Sequence, residues 1–70
     1  MEYLLVKFAE SRSVIVDEIT EGVTNIMLEL EAGSHVVTIE GPSDFTPECF
    51  DFILRNTSES SPRVICFEKS

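Results

Sequence analysis

The residues best suited to chemistry are Cys49, Cys66 and the single histidine, His35. A catalytic thiol needs a base within hydrogen-bond reach, and that base needs a third group to orient it. His35 begins a β-branched run beside a turn and nothing in the sequence suggests an orienting partner, so thiol catalysis is not expected. One histidine and two widely separated cysteines also fall short of the four ligands a structural zinc takes. Neither a metal nor another cofactor is expected.

Carboxylates are the next candidates. Asp17, Glu18 and Glu21 cluster just after Val14-Ile15-Val16. Loop carboxylates can collect calcium, but the Asp-x-Asp-x-Asp-Gly spacing is absent, and the cluster reads as a solvated acidic turn. Acid–base catalysis needs one carboxyl buried enough to raise its pKa, and no Asp or Glu lies inside an apolar run that would force this. Only three glycines are present, and they form no phosphate loop, nucleophile elbow or dinucleotide fingerprint. Asn56-Thr57-Ser58 matches a glycosylation sequon but reads as an ordinary loop. The chain is therefore read as not an enzyme.

The elements that must position these groups are short strands. Tyr3–Phe8 is a run of strand formers with Leu4, Val6 and Phe8 on one face. Ser13–Asp17 is β-branched through its middle, and Glu18–Gly22, polar and ending in glycine, reads as a turn or irregular link. In Asn25–Glu31, Ile26, Leu28 and Leu30 alternate with Met27, Glu29 and Glu31, the period of a half-buried strand. Ala32-Gly33-Ser34 then supplies a short loop before His35–Glu40, and the two strands read as a hairpin.

Gly41–Pro47 holds too many breakers for a regular element and reads as a connection. Residues 48–55 are read as a strand on the alternation of Phe50, Phe52 and Leu54. A helix of one to two turns after Thr46-Pro47 is the alternative. Asn56–Pro62 is a polar loop, and Arg63–Glu68 is the last strand. Pairing 48–55 antiparallel with 63–68 would set Cys49 and Cys66 on a common face as neighbours. Free, partly buried thiols are nonetheless the expectation for a chain that reads as cytoplasmic. Six short antiparallel strands without a long helix predict an all-β fold, a small sandwich of two sheets forming one domain over residues 1–70.

From Ser13 to Phe67 this order of signals resembles the PEGA domain family of small transthyretin-like or carboxypeptidase-regulatory-like β-sandwich modules. Val14-Ile15-Val16-Asp17 is similar to that family's first strand with its acidic turn, and Gly22-Val23-Thr24 to its Gly-x-Thr turn, with Asn25 where proline is common. Leu30-Glu31-Ala32-Gly33-Ser34-His35-Val36-Val37-Thr38-Ile39 resembles its hairpin. Pro42-Ser43-Asp44-Phe45 looks like its Pro-Gly-aromatic step, with Ser and Asp intruding. The resemblance implies a binding or spacer module, of a kind usually found inside larger, often envelope-associated proteins.

Composition narrows the partner class. An apolar fraction of 43% against 26% charged residues is that of a chain that folds. Thirteen acidic residues against five basic give a formal charge of −8, which repels phosphate backbones, so neither nucleic acid nor an anionic membrane is an expected partner. Met1–Arg12 lacks a basic n-region, and no apolar run approaches the roughly 18 residues a membrane span needs, so no membrane insertion is expected. The localisation that follows is cytoplasmic, unless the chain is a fragment of a larger envelope protein.

The expected function is a non-catalytic binding or interaction module that meets a protein partner through loops or a sheet edge. Asp17, Glu18, Glu21, Asp44 and Phe45 are its candidate contacts, because loops carry function more often than strands do. The alternatives are a self-assembling, homodimeric domain and a carbohydrate-binding module.

Overall fold

In a computed structural model describing all 70 residues, the chain forms nine strands and no helix. These are β1 (Glu2–Lys7), β2 (Ser13–Val16), β3 (Ile19–Val23), β4 (Leu28–Leu30), β5 (Gly33–Ile39), β6 (Phe45–Thr46), β7 (Phe50–Leu54), β8 (Arg63–Cys66) and β9 (Glu68–Lys69). Residues 48–55 thus contain a strand, β7, as their alternation requires. The fold is all-β, a small sandwich.

One sheet has the order β4-β1-β8, the other β3-β2-β5-β7, and β6 and β9 form a two-stranded ribbon. All ladders are antiparallel except one: β1 and β8 run parallel, with Leu4 beside Arg63 and Val6 beside Ile65. The expectation of antiparallel strands throughout is corrected at that pair. Parallel neighbours need a long return, and here most of the domain lies between them.

Further expectations change: nine short strands form where about six were expected, and the Gly41–Pro47 connection contains one of them, β6. Glu18–Gly22 is not an irregular link: Ile19–Val23 is strand β3, joined to β2 by the two-residue turn Asp17-Glu18. Both turn residues have positive φ, 50° and 72°, the conformation that lets a two-residue turn follow the strands' own twist. The polarity of Thr20 and Glu21 concealed the strand because β3 is a sheet edge with an exposed face.

Leu28–Leu30 and His35–Ile39 do not form a hairpin. Instead β4 pairs with β1, setting Leu28 opposite Leu4, while β5 pairs with β2 and β7. Glu31-Ala32 therefore crosses from one sheet to the other. A tight hairpin would have placed Leu28, Leu30, Val37 and Ile39 in a single layer, whereas the crossover lets the two pairs face each other in the core.

The antiparallel pairing of 48–55 with 63–68 is also absent, since β7 pairs with β5 and β8 with β1. Phe50 does meet Phe67, but across the core, with ring centroids 5.0 Å apart. Cys49 and Cys66 are both free, as expected, but exposed where partly buried packing residues were expected.

The core consists of Leu4, Val6, Phe8, Val14, Val16, Leu28, Leu30, Val37, Ile39, Leu54, Ile65 and Phe67. Its only buried polar residue, Thr24, is fully satisfied. The Thr24 N–H donates to the Arg12 carbonyl and its hydroxyl donates to the Glu10 carbonyl while accepting from the Arg12 N–H. Asn25, at φ 66°, donates its backbone N–H to the Val6 carbonyl, and its side-chain amide exchanges hydrogen bonds with the N–H and C=O of Phe8. The residue read as the start of a strand is thus a polar plug that stands in for strand pairing at the end of β1, and the strand begins at Leu28.

Candidate functional site

The two ends of the sandwich differ chemically. At the end where β1 leaves the sheet, Phe8, Phe45, Phe67 and Phe50 pack edge to face in series. Arg12 lies over this cluster, its guanidinium carbon 5.0 Å from the centre of the Phe8 ring. Its two terminal nitrogens bind both oxygens of Asp44 at 2.6 and 2.8 Å, and one also reaches Glu10 at 2.6 Å. Lys69 closes the network against Glu10 and Asp44. The Arg12 guanidinium, followed by Lys69, holds the Asp44 carboxyl far below the usual carboxylate range.

Asp44 and Phe45, two of the contacts expected from the sequence, therefore sit in this internal assembly. The Asp44 carboxylate is taken up by two cations, and the Phe45 ring packs against the core.

The opposite end holds the acidic turn. Asp17, Glu21, Glu29, Glu31 and His35, with Met1, Val16, Ile19 and Leu30 as apolar floor and rim, line an open depression of about 240 Å³. Asp17 comes from the β2–β3 turn, Glu21 from β3, Glu29 from β4, Glu31 from the crossover and His35 from β5. None of the five basic residues lines it. The fold thus brings Asp17 and Glu21 together with two carboxylates that lie 8 to 14 positions further along the chain. Glu18, in the second turn position, is exposed and does not line the depression.

Glu29, Glu31 and His35 were not foreseen as partners of the acidic turn. The available signal was the polar phase of the β4 alternation, which ends where the chain changes sheets. Recognising it as part of the site required knowing that β4 and β2 lie at the same end of facing sheets.

His35 is the hub of this end. Nδ1 lies 2.7 Å from Asp17 Oδ2, and Nε2 lies 2.7 Å from the Glu31 carbonyl oxygen. The other Asp17 oxygen accepts the Val36 N–H at 2.9 Å, and the Asp17 N–H donates to the Val36 carbonyl. The Glu31 carbonyl, followed by the Asp17 carboxylate, raises the His35 pKa. The Val36 N–H and the imidazole lower that of Asp17.

This arrangement offers negative charge and hydrogen-bond acceptors to a ligand, and no Ser, Thr, Cys, Lys or Tyr side chain lines it. No three His, Cys, Asp or Glu side chains are grouped so as to hold a metal ion. No known family model, characterised protein or solved structure matches the chain.

Proposed function

We propose that the domain is a non-catalytic binding module whose acidic mouth receives a basic segment of a protein partner. The observation that carries this reading is the convergence of Asp17, Glu21, Glu29 and Glu31 on one depression that no Lys or Arg lines. Like charges so placed repel one another, and an incoming cationic segment relieves that repulsion while gaining on-rate from the field. The resemblance of Val14–Asp17 and Leu30–Ile39 to PEGA modules supports a binding role of the same general kind.

The test is fluorescence anisotropy with a labelled Lys/Arg-rich peptide, a neutral peptide of equal length, and the double variant E21Q/E29Q. Neither glutamate side chain makes a hydrogen bond or salt bridge within the fold. Binding of the basic peptide alone, weakening with salt and falling about tenfold or more in the variant, supports the mouth as the site. Equal binding to the variant, or no preference for the basic peptide, overturns it.

Self-association is a second reading, favoured by one observation. On the outer face of the β4-β1-β8 sheet, Met27 and Val64 are exposed on either side of Leu5, with Ile26 exposed nearby. A concentration-dependent shift in sedimentation, abolished by V64E, would support it, and a monomer at all concentrations would remove it. A carbohydrate site has less support, because all five phenylalanine rings pack in or against the core and the one tyrosine, Tyr3, is half-buried.

A further inference from the structure

We propose that His35 is a proton-operated clasp joining the β2–β3 turn to the crossover between the sheets, so that the acidic end of the sandwich loosens when the ring loses its proton. The clasp operates whether or not that end binds a basic segment.

A carboxylate oxygen and a carbonyl oxygen face the two ring nitrogens, each at 2.7 Å, and neither oxygen has a proton to give. Only imidazolium carries N–H on both nitrogens; the neutral ring has one donor and one lone pair. On deprotonation, one nitrogen must therefore present its lone pair to an oxygen at hydrogen-bond distance, and that contact opens. If Nε2 loses the proton, the Glu31 carbonyl is released and with it the crossover. If Nδ1 loses it, Asp17 Oδ2 is released, and Asp17 keeps its two bonds to Val36, one through its backbone N–H and one through Oδ1.

The ring faces Asp17 on the β2–β3 turn and Glu21 on β3, shares the depression with Glu29 on β4 and Glu31 on its exit, and lies opposite Phe52 on β7, over whose ring the Arg63 guanidinium of β8 is stacked. The Glu31 carbonyl, then the Asp17 and Glu21 carboxylates, favour the cationic ring, and the His35 side chain is only 14% exposed, which limits screening by solvent. The clasp is therefore closed at acidic to near-neutral pH and opens above it.

His35 is the only histidine, so its ring resonances report the clasp without ambiguity. The experiment is an NMR titration from pH 5 to 9 following the ring together with the backbone amides of Asp17, Ala32 and Val36. The expected result is a ring midpoint above the ordinary 6.5, with the three amides moving at the same midpoint.

In D17N the new side-chain amide can donate to Nδ1 of the neutral ring while its oxygen still accepts from Val36, and asparagine tolerates the positive φ of this position. The ring midpoint should fall by about one pH unit or more in that variant, and the amide response should shrink. In H35Q, which cannot titrate in this range, the amide response should vanish. A wild-type midpoint at or below 6.5, amides that stay fixed while the ring titrates, or an amide response that persists in H35Q would each overturn the clasp.

Discussion

Leu28 lays its δ-methyl group in the space where a β-carbon on Gly22 would stand. Gly22 lies on β3 and Leu28 on β4, the edge strands that face each other on one side of the sandwich. The glycine thus acts through the side chain it lacks, closing the sheets over a buried leucine beside the irregularity where the β2–β3 register shifts. G22A should destabilise the domain by about 1–3 kcal/mol, read from urea midpoints, because Leu28 must leave its place in a packed core. G22A combined with L28A should cost less than the sum of the two single changes, as residues in direct contact do.

Adjacent residues on β7 provide a test of strand phase. Leu54 is fully buried and Ile53 is 58% exposed. L54A should cost about 2–5 kcal/mol, a large part of the stability available to a domain of this size. I53A should stay within about 0.5 kcal/mol of the parent. Comparable losses at both positions would contradict the alternation of β7.

The Asp17-Glu18 turn holds two non-glycine residues at positive φ, yet they should respond differently. E18G relieves a left-handed conformation at an exposed side chain and should stabilise by about 1 kcal/mol. D17G relieves the same strain but removes the carboxylate that binds Val36 and His35, so its net effect should fall below that of E18G. Thermal melts of the two variants side by side decide the point.

Stability should peak in mildly acidic solution. The pKa of His35 is raised above 6.5 by the Glu31 carbonyl and Asp17, so its contribution is fully present below about 6.5 and lost as pH rises through the folded value. Asp17 and Asp44 are lowered from 3.8, and Glu2 and Glu10 from 4.5, by Val36, Arg12, Thr57 and Lys69 respectively as leading causes. Their contributions are present above those values and lost as pH falls below them. Urea midpoints measured from pH 3 to 9 should therefore be highest between about 4.5 and 6.5. H35Q should lose the decline on the alkaline side and keep that on the acidic side.

Much of the fold was legible in local pattern. The alternation of Leu4, Val6 and Phe8, of Leu28 and Leu30, and of Phe50, Phe52 and Leu54 marks strands because side chains on a pleated chain point alternately to either face. Strand β3 was not legible, because an edge strand with an exposed face shows little of that alternation. Nor was the role of Gly22, which read as a turn residue and instead makes room for a leucine. The acidic turn at Asp17 was visible as charge, but its partners Glu29, Glu31 and His35 were not, because nothing local to them points toward Asp17.

Local pattern in the amino-acid sequence was enough for the all-β class, the alternating core positions and the acidic balance. All of these are properties of a few neighbouring residues. The tertiary structure alone decided which strands are neighbours: the crossover at Glu31-Ala32 instead of a hairpin, the parallel pairing of β1 with β8, and the gathering of four carboxylates and one histidine in a single depression. Strand pairing is a choice among competing long-range registers, settled by how all the apolar faces can be buried at once, and no local stretch of residues carries that information.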